Sequence, residues 1–285
     1  MPTSDPVQQL FQTIEKEKAD ALAQLKAWAR GPLTLKRPVF FVPGWTDDIC
    51  TGWTIPYSSG NTSMKDWGER VFSNPELAYY LNFSKADSDS YDSFLDCSRI
   101  IRDRVRRLLG PKKEFDILGH SMGGLDIRAA VIDDKDPLLG VNNCIFVGVP
   151  NEGSQWGDLC KAHLISSRKK LTAAQIIQGV NMDPDHPIIQ TINHIELKRL
   201  FLKNINRLYN LRGWKDTAVF GRSRFQYPGM EAEFPGKVME MNYDGTTHTG
   251  RNGMTQDPRL IADIVRILLE LPLAAPRLNY GNIGG

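Results

Sequence analysis

The segment Phe115-Asp116-Ile117-Leu118-Gly119-His120-Ser121-Met122-Gly123-Gly124 sets a serine between two glycines, each two residues away. A short apolar run precedes it, and a helix-compatible stretch from Leu125 to Ile132 follows at once. Strand, sharp turn and helix in that order form a nucleophile elbow, which holds the serine hydroxyl above the end of a sheet in a strained backbone conformation. Side chains at positions 119 and 123 would collide there, so both glycines have a steric task. The chemistry such a serine performs is attack on a carbonyl. It needs a partner, because a hydroxyl is a weak nucleophile until a base accepts its proton.

Five histidines are available: His120, His163, His186, His194 and His248. His120 adjoins the serine, with a ring expected to point away from its hydroxyl and to serve local packing. His163, His186 and His194 fall in a stretch of helical periodicity. His248 lies in Tyr243-Asp244-Gly245-Thr246-Thr247-His248-Thr249-Gly250, after the last expected strand and before the terminal helix. That is where an elbow-type site with chain order serine, acid, histidine carries its base, so Ser121 and His248 are the expected catalytic pair.

The elements that must position these residues can be read from periodicity. Strands are expected at Pro38 to Val42, Leu77 to Leu81, Phe115 to Gly119, Val141 to Val149, Thr217 to Phe220 and Val238 to Met241. A helix runs from Ser93 to a stop at Gly110-Pro111, and Asp257-Pro258 caps another that ends before Pro272. Strands alternating with helices imply an α/β fold, a mostly parallel sheet with helices on both faces. From about 155 to 211 the pattern is helical without a strand. This insertion is expected to cap the carboxyl edge of the sheet, where ligands of open α/β sheets bind. Its apolar residues, among them Leu164, Leu171, Ile176, Ile177, Ile188, Ile189 and Ile192, are expected partly to pack on the sheet and partly to wall an acyl pocket. Residues 1–34 read as a separate helical arm, with residues 35–285 forming the main domain.

With these motifs in place the chain resembles the α/β-hydrolase superfamily, and within it the lipase and esterase-like members with small caps. The resemblance covers most of Pro38 to Leu271. Val42-Pro43-Gly44-Trp45 looks like the family's oxyanion loop, although Pro43 stands where many members carry histidine. By that match the main-chain N–H groups of Trp45 and Met122 would face the oxyanion. Gly148-Val149-Pro150-Asn151-Glu152-Gly153-Ser154 is similar to the segment leading into the cap of many lipases. The acid departs from the pattern. The family places an aspartate just after the penultimate strand, but the loop after Thr217 to Phe220 begins Gly221-Arg222-Ser223-Arg224-Phe225. Asp216 precedes that expected strand and so falls at the wrong end of the sheet. Glu152 and Asp244 lead the remaining candidates, with Glu231 and Glu233 behind them.

The rest of the composition narrows the field. Hydrophobic residues make up 41% of the 285, charged residues 24%, and the net charge of +2 comes from 35 basic and 33 acidic side chains. This is the profile of an ordinary globular protein, with no basic, aromatic-interleaved run for nucleic acid and no apolar stretch long enough to span a bilayer. The N-terminus lacks the basic start, apolar run and cleavage site of a secretory signal, so a cytoplasmic chain is expected; a processed secreted form would read the same way. Cys50, Cys97, Cys144 and Cys160 form no C-x-x-C pair; buried reduced thiols are the default expectation, with two bridges in any of three connectivities as the alternative. No histidine spacing suits a metal. Asp47-Asp48 and Asn181 to Asp185 read as turn chemistry. No phosphate loop or dinucleotide fingerprint is present, so no cofactor is expected.

The resemblance therefore implies a serine carboxylic-ester hydrolase of lipase or esterase type, acting on a small-molecule or lipid ester through an acyl-enzyme on Ser121. Two alternatives stand beside it. An acyltransferase or thioesterase would use the same residues, and a non-catalytic binding protein on the same fold would explain the missing aspartate.

Overall fold

The computed structural model describes residues 5–45, 50–56, 62–83, 93–110, 113–161, 173–213, 215–216, 218–219, 221–249 and 253–274. Six parallel strands form one sheet: β1 (Val39–Val42), β2 (Ala78–Tyr80), β3 (Phe115–His120), β4 (Val141–Val147), β5 (Ile205–Gly213) and β6 (Val238–Tyr243), in the order β2-β1-β3-β4-β5-β6. The helices are α1 (Pro6–Arg30), α2 (Thr51–Thr54), α3 (Met64–Val71), α4 (Phe94–Leu109), α5 (Met122–Ile132), α6 (Gln155–Lys161), α7 (Ala173–Asn181), α8 (Pro187–Ile192), α9 (Ile195–Asn204), α10 (Met230–Glu233) and α11 (Pro258–Leu268). Short 3₁₀ turns occupy Pro75–Leu77 and Met254–Gln256.

Side chains of a strand alternate between the two faces of its sheet, and both faces here are covered. Phe40, Val42, Ile117 and Phe146 point to one side, where they join Ile101 and Val105 of α4, Leu125 of α5 and Phe201 of α9. Val39, Phe41, Leu118 and Ile145 point to the other, onto Leu25 of α1, Trp67 of α3 and Leu260 and Ile264 of α11. The caps were legible locally. Asp257 accepts from the Arg259 N–H (2.9 Å) ahead of Pro258. Gly110 ends α4 with φ +71°, a conformation glycine adopts without strain.

The expectation for the penultimate strand is corrected. The helical insertion ends at Asn204, and β5 begins at once and runs to Gly213, while Ala218 and Val219 lie in a turn. Leu208 and Leu211, three apart, imitate a helix face. The polar residues between and after them are accommodated by distant partners: Asn210 Nδ2 donates to the Ser223 carbonyl (2.7 Å), and Arg212 pairs with Glu240 (3.2 Å). The insertion between β4 and β5 is thus α6 to α9. Helix α1 lies against α3 and α11, burying Ile14, Ala21 and Leu25.

The strand order fixes where a site can form. From β1 the chain moves outward to β2 and then returns to place β3 on the opposite side of β1. The loops after β1 and β3 diverge at this reversal and leave a crevice at the carboxyl edge.

Candidate functional site

Ser121 follows β3 in that crevice with φ +54° and ψ −129°, a conformation costing a non-glycine residue about 1–3 kcal/mol. Its N–H is tied to the Val147 carbonyl (2.9 Å), and its own carbonyl accepts from Gly124 (3.1 Å). The turn is closed so tightly that a Cβ at Gly123 would lie 2.3 Å from the Pro43 carbonyl oxygen, and one at Gly119 would lie 2.6 Å from the Gly124 nitrogen. The elbow therefore packs directly against the loop after β1, and Gly44 and Trp45 border the same cleft as Ser121. Met122 is the first residue of α5, so its N–H has no intrahelical acceptor.

His248 Nε2 lies 2.7 Å from Ser121 Oγ, and His248 Nδ1 lies 2.8 Å from Asp216 Oδ2. The Asp216 side chain is 1% exposed and that of His248 16%. Asp216 sits three residues beyond the end of β5, its N–H bonded to the Gly213 carbonyl (3.3 Å). Its other oxygen accepts from the N–H groups of Ala218 (3.2 Å) and Val219 (3.3 Å). The aspartate dismissed from sequence is thus at the carboxyl edge, because β5 lies earlier in the chain than expected.

The other carboxylates lie elsewhere. Glu152 is exposed at the head of the cap, with its N–H on the Arg222 carbonyl (2.8 Å) and its charge felt by Arg128. Asp244 offers its carbonyl to Arg259 Nη2 (2.6 Å), part of the tie between the His248 loop and α11. Glu233 pairs with Arg199 (2.8 Å), and Glu231 accepts from the Gly236 N–H (2.8 Å). None of these occupies the His248 Nδ1 position. The signal that could have found Asp216 is a strand ending at a glycine with an aspartate three residues on.

His120 does more than pack. Its ring lies beside that of His248, tilted by 32° with centroids 4.9 Å apart, and its Nε2 lies 3.2 Å from the His248 carbonyl oxygen. A carbonyl only accepts, so Nε2 carries the proton. Burial, reinforced by the neighbouring His248, lowers the His120 pKa to about 3 and keeps the ring neutral. His186 caps α8, its Nδ1 accepting from the Ile188 N–H (3.3 Å), and His194 stands immediately before α9; His163 lies outside the described residues, as do Asp47, Asp48, Leu164 and Leu171.

The cap is fastened to the same elements. Arg128 of α5 donates to the carbonyls of Asn151 (3.2 Å) and Ile192 (2.6 Å), clamping the segment after β4 to α8, and burial lowers its pKa to about 9. The Trp45 indole N–H donates to the Gln175 carbonyl of α7 (2.8 Å). A cleft of about 600 Å³ opens over Ser121, bordered by Trp45, Trp156, Met182, Val219 and the His248 loop. A second groove, of about 800 Å³, runs along β2 near Lys65, Glu69 and Tyr80. The four cysteines are buried and form no disulfide with one another. No group of three or more potential ligands for a metal occurs among the described residues, and no described helix is long and apolar enough to cross a membrane.

No family sequence model matches the chain, and a search of curated protein sequences gives no match. Solved structures do match. The chain is similar to a lipase, BlEst2 in mature form, from Bacillus licheniformis, at TM-score 0.55 and 14% identity over 85% of this chain and 94% of that one. It is similar to phospholipase PlaB from Legionella pneumophila, at TM-score 0.58 and 15% identity over 82% of this chain and 60% of that one. A metagenomic carboxyl esterase, MGS0156, matches at TM-score 0.54 and 13% identity over 84% of this chain and 77% of that one. This chain therefore has the α/β-hydrolase fold. Fold does not select a reaction, so the function must be argued from the site.

Proposed function

We propose that the chain is a serine carboxylic-ester hydrolase in which Ser121 is the nucleophile, His248 the general base and Asp216 the acid that orients it. The observation that carries this reading is the continuous pair of contacts from Ser121 through His248 to Asp216, at 2.7 Å and 2.8 Å. His248 Nδ1 donates to the Asp216 carboxylate, leaving Nε2 as a lone-pair acceptor aimed at the serine hydroxyl. Ser121 Oγ then attacks the ester carbonyl while its proton passes to Nε2. The N–H groups of Trp45 and Met122 receive the oxyanion, each donor worth about 3–4 kcal/mol in the transition state. Collapse of the intermediate expels the alcohol, which takes the proton from His248. Water repeats the sequence on the acyl-enzyme, His248 accepting its proton, and releases the carboxylic acid.

The test is Ser121→Ala, compared with the parent on short p-nitrophenyl esters and with a fluorophosphonate label. The variant should melt like the parent, take no label and lose turnover. Retention of a tenth of the parent rate or more, a barrier change of about 1.4 kcal/mol or less, removes the assignment. Product analysis with competing alcohols and thiols separates hydrolysis from acyl transfer, since the difference lies in what reaches the acyl-enzyme. The binding-protein alternative drew its support from a missing aspartate, and Asp216 beside His248 takes that support away.

A further inference from the structure

Phe11, Ile14, Ala21, Leu25 and Trp28 recur along α1 at intervals of three, four or seven residues, so they share one face of the helix. The two halves of that face do different things. The second half is an anchor: Leu25 is fully buried, and Trp28 packs on the same core with the Arg266 guanidinium over its ring (5.4 Å). The first half reaches past the core to the loops that carry Asp216 and His248. The Lys215 ammonium, beside Asp216 in the chain, sits over the Phe11 ring, 5.3 Å from its centroid. Ile14 lies over Gly245, where a Cβ would stand 3.5 Å from the Ile14 Cδ1. One turn on, Glu17 Oε2 accepts from Arg259 Nη1 (3.1 Å).

Arg259 carries that last contact to the base. Its side chain is 1% exposed, and its planar fork holds three elements together. Nη1 meets Glu17 of α1, Nε and Nη2 meet the Asp257 carboxylate at the head of α11 (3.0 and 2.8 Å), and Nη2 also meets the Asp244 carbonyl (2.6 Å). Asp244 and Gly245 lead into His248, and the same loop is stitched to the acid by the Lys215 N–H on the Thr246 carbonyl (3.1 Å). Helix α1 therefore touches the two loops where they join. Resting on the esterase reading above, we propose that Ile14 and Glu17 are positioning residues for the reaction. Ile14 packs on Gly245 and Glu17 acts through Arg259, and together they hold His248 between Asp216 and Ser121 from outside. Neither is among the described residues that border the cleft, so they govern the alignment of the base and not the fit of the ester. Alignment is the more sensitive of the two, since displacing a reacting group by about 1 Å costs about a hundredfold in rate.

The experiment measures hydrolysis of p-nitrophenyl butyrate by the full chain, well below its melting temperature, for Glu17→Gln, Glu17→Ala and the double variant Ile14→Ala/Glu17→Ala. Glu15→Ala is the control, because Glu15 is exposed and pairs only with Lys18 on the same helix (3.0 Å). Glu17→Ala should lower kcat about threefold, the scale of a part-exposed ion pair, and Glu17→Gln should lower it less, since its amide oxygen still accepts from Arg259. The double variant should lose about tenfold or more, while KM stays within about twofold of the parent, because ester binding does not need an aligned base. A second readout follows the base directly. The downfield proton resonance of the His248 Nδ1–H bond to Asp216, identified by its absence in Asp216→Asn, should broaden in the double variant and stay sharp in Glu15→Ala. A parental kcat in the double variant, a loss confined to KM, or a resonance as sharp as the parent's overturns the proposal. Should the double variant not fold, the Glu17 pair decides, and equal kcat in parent and Glu17→Ala overturns it. A parent that neither hydrolyses the ester nor takes a fluorophosphonate label overturns the esterase reading instead, and the resonance then tests the positioning by itself.

Discussion

Replacing Asp216 by asparagine tests the site at its most constrained point. Oδ1 faces two donors, the N–H groups of Ala218 and Val219, and Oδ2 faces His248 Nδ1. An amide must present its oxygen to the two backbone donors, because its NH₂ group cannot accept from them. The NH₂ group of Asp216→Asn is then turned toward Nδ1, which has to become the acceptor. The imidazole proton moves to Nε2 and points at Ser121 Oγ, so the base can no longer receive the serine proton. An enforced wrong tautomer of this kind lowers kcat by about four orders of magnitude, equivalent to roughly 5.4 kcal/mol of barrier. The assay is steady-state hydrolysis of p-nitrophenyl butyrate beside a thermal melt, with Glu152→Gln and Asp244→Asn as companions. The companions should stay within about threefold of the parent, a barrier change of less than 1 kcal/mol. An Asp216→Asn protein that melts normally yet keeps more than about a hundredth of the parent kcat refutes the tautomer argument. So does a loss as large in either companion.

Two other buried groups give distinct outcomes. Asp126 is buried on α5, neither carboxylate oxygen is hydrogen-bonded to a described residue, and burial raises its pKa well above the usual value. The unfolded chain releases this proton near pH 4 while the fold retains it, so the parent loses stability as pH rises above that point. Asp126→Asn should therefore gain on the parent by up to about 1.4 kcal/mol per pH unit above pH 4. Urea titrations at pH 4 and 7 that show the same difference between the two proteins contradict this. For His120, phenylalanine keeps the ring beside His248 but deletes the donor to its carbonyl, whereas glutamine keeps a donor. His120→Phe should lower kcat about two- to tenfold, the worth of one hydrogen bond, and His120→Gln should lower it less; the reverse order assigns the residue to packing alone.

The Ser121 turn could be read from sequence because its causes are local: an apolar run, a helix-forming run and glycines at fixed offsets. His248 was within reach for a related reason, since Val238 to Tyr243 and the Pro258 helix frame its loop with strong local signals. Asp216 was hidden by a strand whose stability is not local. In β5, Asn210 and Arg212 are tolerated beside the core only because Ser223 and Glu240, far along the chain, satisfy them. Without those partners the Leu208–Leu211 spacing reads as more helix. The apolar run Ala218-Val219-Phe220 then takes the place of the strand, and Asp216 falls on its wrong side. The first two of those residues in fact border the cleft. The seat of α1 was equally hidden, since Leu25 and Ile14 meet partners on α3, α11 and the His248 loop that no local pattern announces.

Gly148 shows how far the site depends on backbone drawn in from separate strands. It follows β4 with φ +56°, and its N–H bonds the Leu211 carbonyl of β5 (2.9 Å). A Cβ there would stand 2.9 Å from Asp216 Oδ2 and 3.3 Å from His248 Nδ1, inside the space that their hydrogen bond occupies. The residue belongs to neither the elbow nor the acid loop, yet any side chain at this position would separate the pair. The loops after β1, β3, β4, β5 and β6 thus meet at the carboxyl edge of the sheet, and the bare backbone at Gly123 and Gly148 lets them approach closely enough for Ser121, His248 and Asp216 to touch. Strand order decides that these loops converge; the glycines decide how near they come. This is why a site whose members are 127 and 32 residues apart is recorded in the sequence less by its polar residues than by the positions where a side chain is missing.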